Sequence, residues 1–205
     1  EVAKDTALFA QLIAEKGVTI LNQTPSAFYV LQEALVANYK TIAVRNMIFG
    51  GEALNPAKLE PWFKAYPEAK LINMYGITET TVHVTYKALS AADITSSASV
   101  IGKPIPTLQV YILDQNLEMV PVGIPGEMFV GGDGVSRGYL NRESLSKEKF
   151  VPDTINKKSG ARLYRTGDLG RWLPDGNIEY LGRIDEQVKI RGYRIEIGEI
   201  EAIIQ

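Results

Sequence analysis

The chain has 205 residues, 45% of them apolar, with 22 basic and 24 acidic side chains and a formal net charge of −2. That length buries one large core or two modest ones, and the near balance of charge argues against nucleic acid or an anionic membrane face as partner. With no cysteine and a single histidine, His83, disulfides, thiolate zinc sites and multi-histidine sites are excluded, so any metal must be held by oxygen, which favours magnesium or calcium.

Residues 5–16 place Leu8, Phe9, Leu12 and Ile13 on one helical face, with Gly17 as the stop. Residues 18–21 read as a short buried strand. Thr24 and Pro25 then open a helix over 25–38, as N-cap and first helical position. Residues 44–49 read as a strand ended by Gly50-Gly51. Asn55-Pro56 opens a helix over 56–65, and Leu71-Ile72 marks the next strand. Alternating helices and strands indicate a parallel sheet with right-handed crossovers, whose ligands bind beyond the carboxyl ends of the strands. Asn22-Gln23-Thr24, Gly50-Gly51-Glu52 and the segment NMYGITETTV at 73–82 fall there. Residues 82–86 read as a further strand.

The pattern changes after about residue 88. Residues 91–99 are small and polar, a loop. Alternating runs follow at 108–114, 126–130, 162–166, 170–173 and 177–181, separated by turn signals such as Gly131-Gly132 and Pro174-Asp175-Gly176. They indicate an antiparallel sheet or distorted barrel, interrupted by one helix over 141–150. Beyond Asp185 the runs 187–190 and 193–196 form a hairpin turned at Arg191-Gly192, and a helix starts at Gly198. No apolar run is long enough to span a bilayer and no signal-peptide core is evident, which fits a cytoplasmic protein.

Thr78-Glu79 offers a hydroxyl for a phosphate and a carboxylate for magnesium, or else a solvated loop bonded to its own backbone. Tyr164-Arg165-Thr166-Gly167-Asp168 ends on an acceptor-only carboxylate suited to paired sugar hydroxyls, or else on an Asx-turn. Gly132-Asp133-Gly134-Val135-Ser136-Arg137-Gly138 departs from a dinucleotide fingerprint because its last glycine comes one residue late, so these glycines read as a bulge or turn. The charged run from Gly182 to Arg194 is either a salt-bridged exposed hairpin or a joint facing a phosphate-bearing cleft. His83 alone supports no serine-hydrolase triad, because no G-x-S-x-G elbow accompanies it.

Five motifs stand in order: Phe49-Gly50-Gly51-Glu52-Ala53-Leu54, Asn73-Met74-Tyr75-Gly76-Ile77-Thr78-Glu79-Thr80, Gly126-Glu127 through Gly138-Tyr139, Tyr164-Arg165-Thr166-Gly167-Asp168-Leu169, and Gly182-Arg183-Ile184-Asp185 through Gly198-Glu199. Together they resemble the adenylation domains of nonribosomal peptide synthetases, within the superfamily of acyl- and aryl-CoA synthetases and luciferases. The resemblance implies an α/β fold with three parts. A parallel, flavodoxin-like αβ subdomain (1–88) is followed by an antiparallel β subdomain (89–185) and the start of a small α+β C-terminal domain (186–205). It implies ATP-dependent formation of an aminoacyl adenylate with release of pyrophosphate, and transfer to a phosphopantetheine carrier domain. ATP and Mg2+ are the implied cofactors, and an MbtH-like protein an implied partner.

By the same resemblance, Tyr75 stacks on adenine, with Gly51, Glu52 and Asn73 beside the base. Thr78 bonds the α-phosphate, Glu79 holds magnesium, Asp168 binds the ribose with Tyr180 and Arg183 nearby, and Asp185 is a hinge. Thr78, Glu79 and Arg183 are the catalytic candidates. Asn22, Ile48, Gly50, Met74, Val82 and His83 line the amino-acid pocket, a partial set resembling that of threonine-activating domains. The upstream phosphate-gripping loop, the amino-group-binding aspartate and the C-terminal catalytic lysine of the family lie outside the sequence, so a piece weakly active or inactive alone is expected. A CoA ligase of the same superfamily and a non-catalytic nucleotide- or partner-binding module are the alternatives.

Overall fold

The computed structural model describes residues 5–156, 160–185, 187–190, 193–195 and 197–204. The chain divides into two compact units that interleave along the sequence. One is formed mainly by residues 1–73 and 87–99, the other mainly by 74–86 and 100–188.

The first unit opens with α1 (Thr6–Glu15), whose first N–H groups are capped by the Asp5 carboxylate at 3.0 Å from Ala7 N and Leu8 N. Gly17, at φ +61°, closes it in the left-handed region. The buried stripe is Ala10 and Ile13, whereas Leu8 and Leu12, expected on the inner face, are exposed. Strand β1 (Ile20–Gln23) begins two residues later than expected, because the Val18 N–H still closes the helix onto the Ile13 carbonyl. Ile20 is exposed and only Leu21 is buried, so the fully buried strand expected at 18–21 is not found.

Helix α2 (Pro25–Asn38) starts where Thr24-Pro25 indicate. β2 (Asn46–Phe49) follows, and then the expected single helix over 56–65 divides into a 3-10 turn (Pro56–Leu59) and α3 (Glu60–Ala65). Pro61 explains the break: it has no N–H to continue an α-helical ladder. β3 (Lys70–Asn73) completes a parallel β1-β2-β3 sheet in which Gln23, Phe49 and Asn73 stand level at the carboxyl ends. Residues 93–95, in the expected loop, form a 3-10 turn that buries Ile94. The core is built on edge-to-face rings: Phe28 packs on Phe49 at 5.0 Å and on Trp62 at 4.9 Å. The Tyr66 hydroxyl reaches the carbonyls of Leu35 and Tyr39, at 2.9 and 2.7 Å, and its one proton is shared between them at the end of α2.

β4 (Thr85–Ala88) pairs through Lys87 and Ala88 with β3 in the first unit. Through Thr85 and Tyr86 it pairs with β5 (Val100–Pro104) in the second. The second unit adds β6 (Leu108–Leu113), β7 (Gly126–Gly132), α4 (Glu143–Lys149), β8 (Phe150–Pro152), β9 (Arg162–Trp172) and β10 (Ile178–Arg183). All its strands pair antiparallel, in the order β5-β10-β9-β7-β6, with β8 also on β9. The two strands expected at 162–166 and 170–173 are one, kinked at Gly167, where φ is +72° and the register against β7 shifts. β5 and β8 have no alternating run long enough to be read from sequence. β7 is buried on both faces: Met128 and Val130 join one apolar cluster with Val110, Ile112 and Ile178, and Phe129 joins another with Leu113 and Leu163.

β11 (Val188–Ile190) and β12 (Tyr193–Ile195), where a hairpin is expected, pair as a two-stranded sheet, and α5 (Ile197–Ile204) follows. The turn residues Arg191 and Gly192, and Glu196 at the end of the expected second strand, lie outside the described residues. Among the described residues no helix is long and apolar enough to cross a membrane. The mixed parallel and antiparallel α/β architecture is the one expected.

Candidate active site

In the first unit the expected site residues gather at the carboxyl ends of the parallel strands. Asn22 on β1 pairs in register with Ile48 on β2, and Gly50 follows β2 directly, with its N–H on the Gln23 carbonyl at 3.4 Å. Gly51 takes φ +86°. Glu52 turns back onto α2 and accepts from Ser26 N at 3.1 Å and Ser26 Oγ at 2.9 Å. A carboxylate at a helix N-terminus is stabilised by the unpaired N–H groups there. Thr24 makes no side-chain cap bond, so Glu52 takes over the capping role expected of it. Asn73, the last residue of β3, is buried.

In the second unit the loop 74–83 folds back on itself. Val84 and Thr85 both donate their N–H to the Tyr75 carbonyl, at 2.7 and 3.1 Å. A Cβ on Gly76 would stand 1.9 Å from the Val82 carbonyl oxygen, so only glycine allows this fold. A 3-10 turn (Thr78–Thr80) follows, and then Thr81 and Val82 both take positive φ, 61° and 69°. That pair ends the expectation of a strand over 82–86: extended pairing begins only at Thr85. The Thr80 hydroxyl donates to the Ile77 carbonyl, and that of Thr81 to the Gly134 carbonyl at 2.8 Å. Thr78 is exposed while Glu79 beside it is buried. Val82 is exposed and Met74 half-buried. His83 is half-buried, and burial lowers its pKa, so its imidazole is neutral near pH 7.

Two groups of polar side chains form within this unit. In the first, Asp168 on β9 is 1% exposed and accepts from the Tyr75 hydroxyl at 2.6 Å and from Arg183 Nη1 at 3.0 Å. Arg183 also grips Asp185, with Nε 2.6 Å from Oδ1. The Tyr180 ring lies 6.1 Å from that of Tyr75. Burial, then the Asp168 charge, raises the pKa of both tyrosines, which stay neutral donors. The Arg183 bond holds Asp185 below the usual carboxylate range. Gly167 takes φ +72°, which side chains rarely adopt, and a Cβ there would also press on the Arg183 guanidinium at 2.8 Å.

In the second group Glu79 Oε1 accepts from the Tyr139 hydroxyl at 2.7 Å, and the Tyr139 and Tyr164 hydroxyls are 3.1 Å apart. Tyr139 closes the third motif but was given no site role, because its partner lies 60 residues away. A separate cavity of about 590 Å³ is lined by Thr107, Gln109, Asp133, Asp153, Asn156 and Arg162 among others, and by none of the expected nucleotide or amino-acid residues.

Among the described residues no group of three or more His, Cys, Asp or Glu could cage a metal by itself. One carboxylate, that of Glu79, still fits magnesium, which is commonly held by one or two carboxylates with substrate phosphates and water completing the shell.

A family model described as AMP-binding enzyme matches residues 1–140. The chain belongs to the AMP-binding enzymes. Over 204 residues it is 53% identical to a plipastatin synthase of Bacillus subtilis (strain 168), covering 100% of this chain and 8% of that protein. It is 49% identical over 209 residues to a dimodular nonribosomal peptide synthase of the same organism (99% of this chain, 9% of that one). With syringomycin synthase SyrB1 of Pseudomonas syringae pv. syringae the identity is 45% (100% and 33%). The chain thus spans a third or less of each of these proteins. Among solved structures, holo-PA1221, described as an NRPS protein containing adenylation and PCP domains, matches with a TM-score of 0.85 at 29% identity, over 98% of this chain and 34% of that one. The resemblance read from the five motifs is therefore met along the whole sequence.

Proposed function

We propose that this chain carries the nucleotide- and amino-acid-binding core of an adenylation domain of nonribosomal peptide synthesis. The reaction is attack of an amino-acid carboxylate oxygen on the α-phosphorus of ATP, with pyrophosphate leaving and an aminoacyl adenylate formed. The observation that supports it most is the loop 74–83. There the Tyr75 hydroxyl sits on Asp168, and an exposed Thr78 stands next to a buried Glu79. Thr78 would donate to the α-phosphate and Tyr75 would carry the adenine, with Gly51, Glu52 and Asn73 at the base. Asp168 presents about four acceptor sites, so ribose hydroxyls can join or replace the donors it has. Tyr180 and Arg183 would border the ribose. Glu79 would hold Mg2+, which when bound neutralises phosphate charge as it is redistributed.

The amino acid is threonine in this reading. Asn22, Ile48, Gly50, Met74, Val82 and His83 would line a small and mostly apolar pocket, in which Asn22 and a neutral His83 bond one hydroxyl. The acyl group would pass to phosphopantetheine on a carrier domain, in the cytoplasm, with an MbtH-like protein as a third party to the assembly. Residues 1–88, 89–185 and 186–205 would be the αβ part, the β part and the start of the C-terminal domain, with Asp185 the hinge.

ATP–pyrophosphate exchange by the full-length protein is the test. Threonine should drive exchange at least about 100-fold better than valine, because a site built to bond a hydroxyl strongly rejects the analogue without one. Equal rates would overturn the threonine assignment. Glu79→Gln should reduce exchange on the order of 10²-fold while leaving the melting temperature within a few degrees. Unfolding instead, with no separate loss of activity, would overturn the site.

A further inference from the structure

The glycine-rich stretch Gly132 to Tyr139 is seated on the catalytic loop of the same unit. The Gly134 carbonyl accepts the Thr81 hydroxyl, and Ser136 N–H donates to the Glu79 carbonyl at 2.9 Å. A Cβ on Gly134 would stand 2.9 Å from the Thr80 carbonyl oxygen, so the two backbones touch. Arg162 steadies the stretch by donating to the carbonyls of Arg137 and Ser136, at 2.7 and 3.0 Å. At its end the Tyr139 hydroxyl reaches Glu79 Oε1.

Tyr139 is itself held on three sides. Its N–H donates to Ser146 Oγ on α4 at 2.8 Å, and that hydroxyl donates to the Arg142 carbonyl. Its ring meets Phe150 edge-on at 5.5 Å. Since its one hydroxyl proton goes to Glu79, the 3.1 Å contact with Tyr164 has Tyr164 as donor. Burial, then the bonds to Tyr164 and Glu79, pushes the Tyr139 phenol well above its ordinary value, so it remains a donor throughout the working pH range. Carboxylates that ligate metals are commonly aimed by such hydrogen bonds.

We propose that Tyr139 is a positioning residue: backed by Tyr164, its hydroxyl fixes one oxygen of Glu79 and so aims the carboxylate at the metal–phosphate ligand. This rests on the reading of Glu79 given above. Tyr139→Phe keeps the ring on Phe150 and removes only the hydroxyl. In the full-length protein, affinity for Mn2+–ATP, read by calorimetry or by the manganese resonance signal, should fall about tenfold in Tyr139→Phe. The KM for the amino acid should not move. In a Glu79→Gln background the same change should add nothing. Tyr164→Phe, which leaves the Tyr139 hydroxyl in place, should give a smaller loss in the same direction and serves if Tyr139→Phe does not fold. If Glu79→Gln loses Mn2+–ATP affinity while Tyr139→Phe keeps it, or if the two losses simply add, the positioning role is wrong. If Glu79→Gln itself keeps the affinity, the magnesium reading of Glu79 fails and the positioning role falls with it.

Discussion

Two carboxylates stand just beyond the ends of parallel strands in this chain, and they are used in different ways. Glu52, after β2, is engaged locally by the Ser26 N–H and hydroxyl at the start of α2. Glu79, after β3, is buried and is held by a phenol from a distant part of the chain. The loop around Glu52 needs one positive-φ glycine, Gly51, whereas the loop around Glu79 needs Gly76 and two successive left-handed residues that are not glycine. The same residue type is thus a helix cap in one case and an oriented acceptor in the other. What decides between them is the partner, not the local sequence.

The sharpest way to break the comparison is Gly76→Ala. Its Cβ meets backbone 1.9 Å away, so a loss of about 4 kcal/mol or more is expected in urea denaturation. A near-neutral result would show that the loop can refold around an alanine. Glu52→Ala should cost about 1–2 kcal/mol, the scale of a charged bond at a helix start, and should weaken Mn2+–ATP binding as well, since Glu52 is placed beside the base. An unchanged Mn2+–ATP affinity would leave Glu52 a cap alone and remove it from the adenine site. Gly51→Ala should cost about 1 kcal/mol, because its Cβ meets only Thr24 Cγ2 at 3.5 Å and the penalty is that of φ +86°.

The smallest effect is a pH dependence. Burial lowers the His83 pKa, so the folded protein binds this proton less readily than the unfolded chain does. Stability from this group is present above about pH 6.5 and falls as pH drops below it. His83→Gln should flatten the melting temperature between about pH 5 and 7, and an unchanged slope would assign the titration elsewhere.

Local punctuation was legible: Thr24-Pro25, Asn55-Pro56 and Gly17 mark helix ends where the structure has them. So were strands β6 and β7, although β7 is buried on both faces and shows no polar alternation. The kink at Gly167 hid the continuity of β9, because a bulged strand loses its period of two. The run Val82-His83-Val84-Thr85-Tyr86 read as strand on its β-branched and aromatic residues, and a tertiary constraint overrides that preference at Val82 and His83. The motifs name candidate residues for the proposed site, but not the side-chain partners that the structure gives them. The bonds from Tyr75 to Asp168 and from Tyr139 to Glu79 join positions 93 and 60 residues apart, and no spacing rule reaches that far.

The left-handed pair Thr81-Val82 also bears on the order of folding. A β-branched residue at positive φ is disfavoured by its own sterics, so an isolated chain would not settle there. Besides local backbone bonds, this conformation is held by bonds from Thr81 to Gly134 and from Ser136 to Glu79, which exist only once the segment after β7 has arrived. Loop closure of that length comes late in a folding reaction. The parallel sheet can therefore be assembled while its most chemically loaded loop is still unformed. Substitutions in the loop should then speed unfolding more than they slow folding.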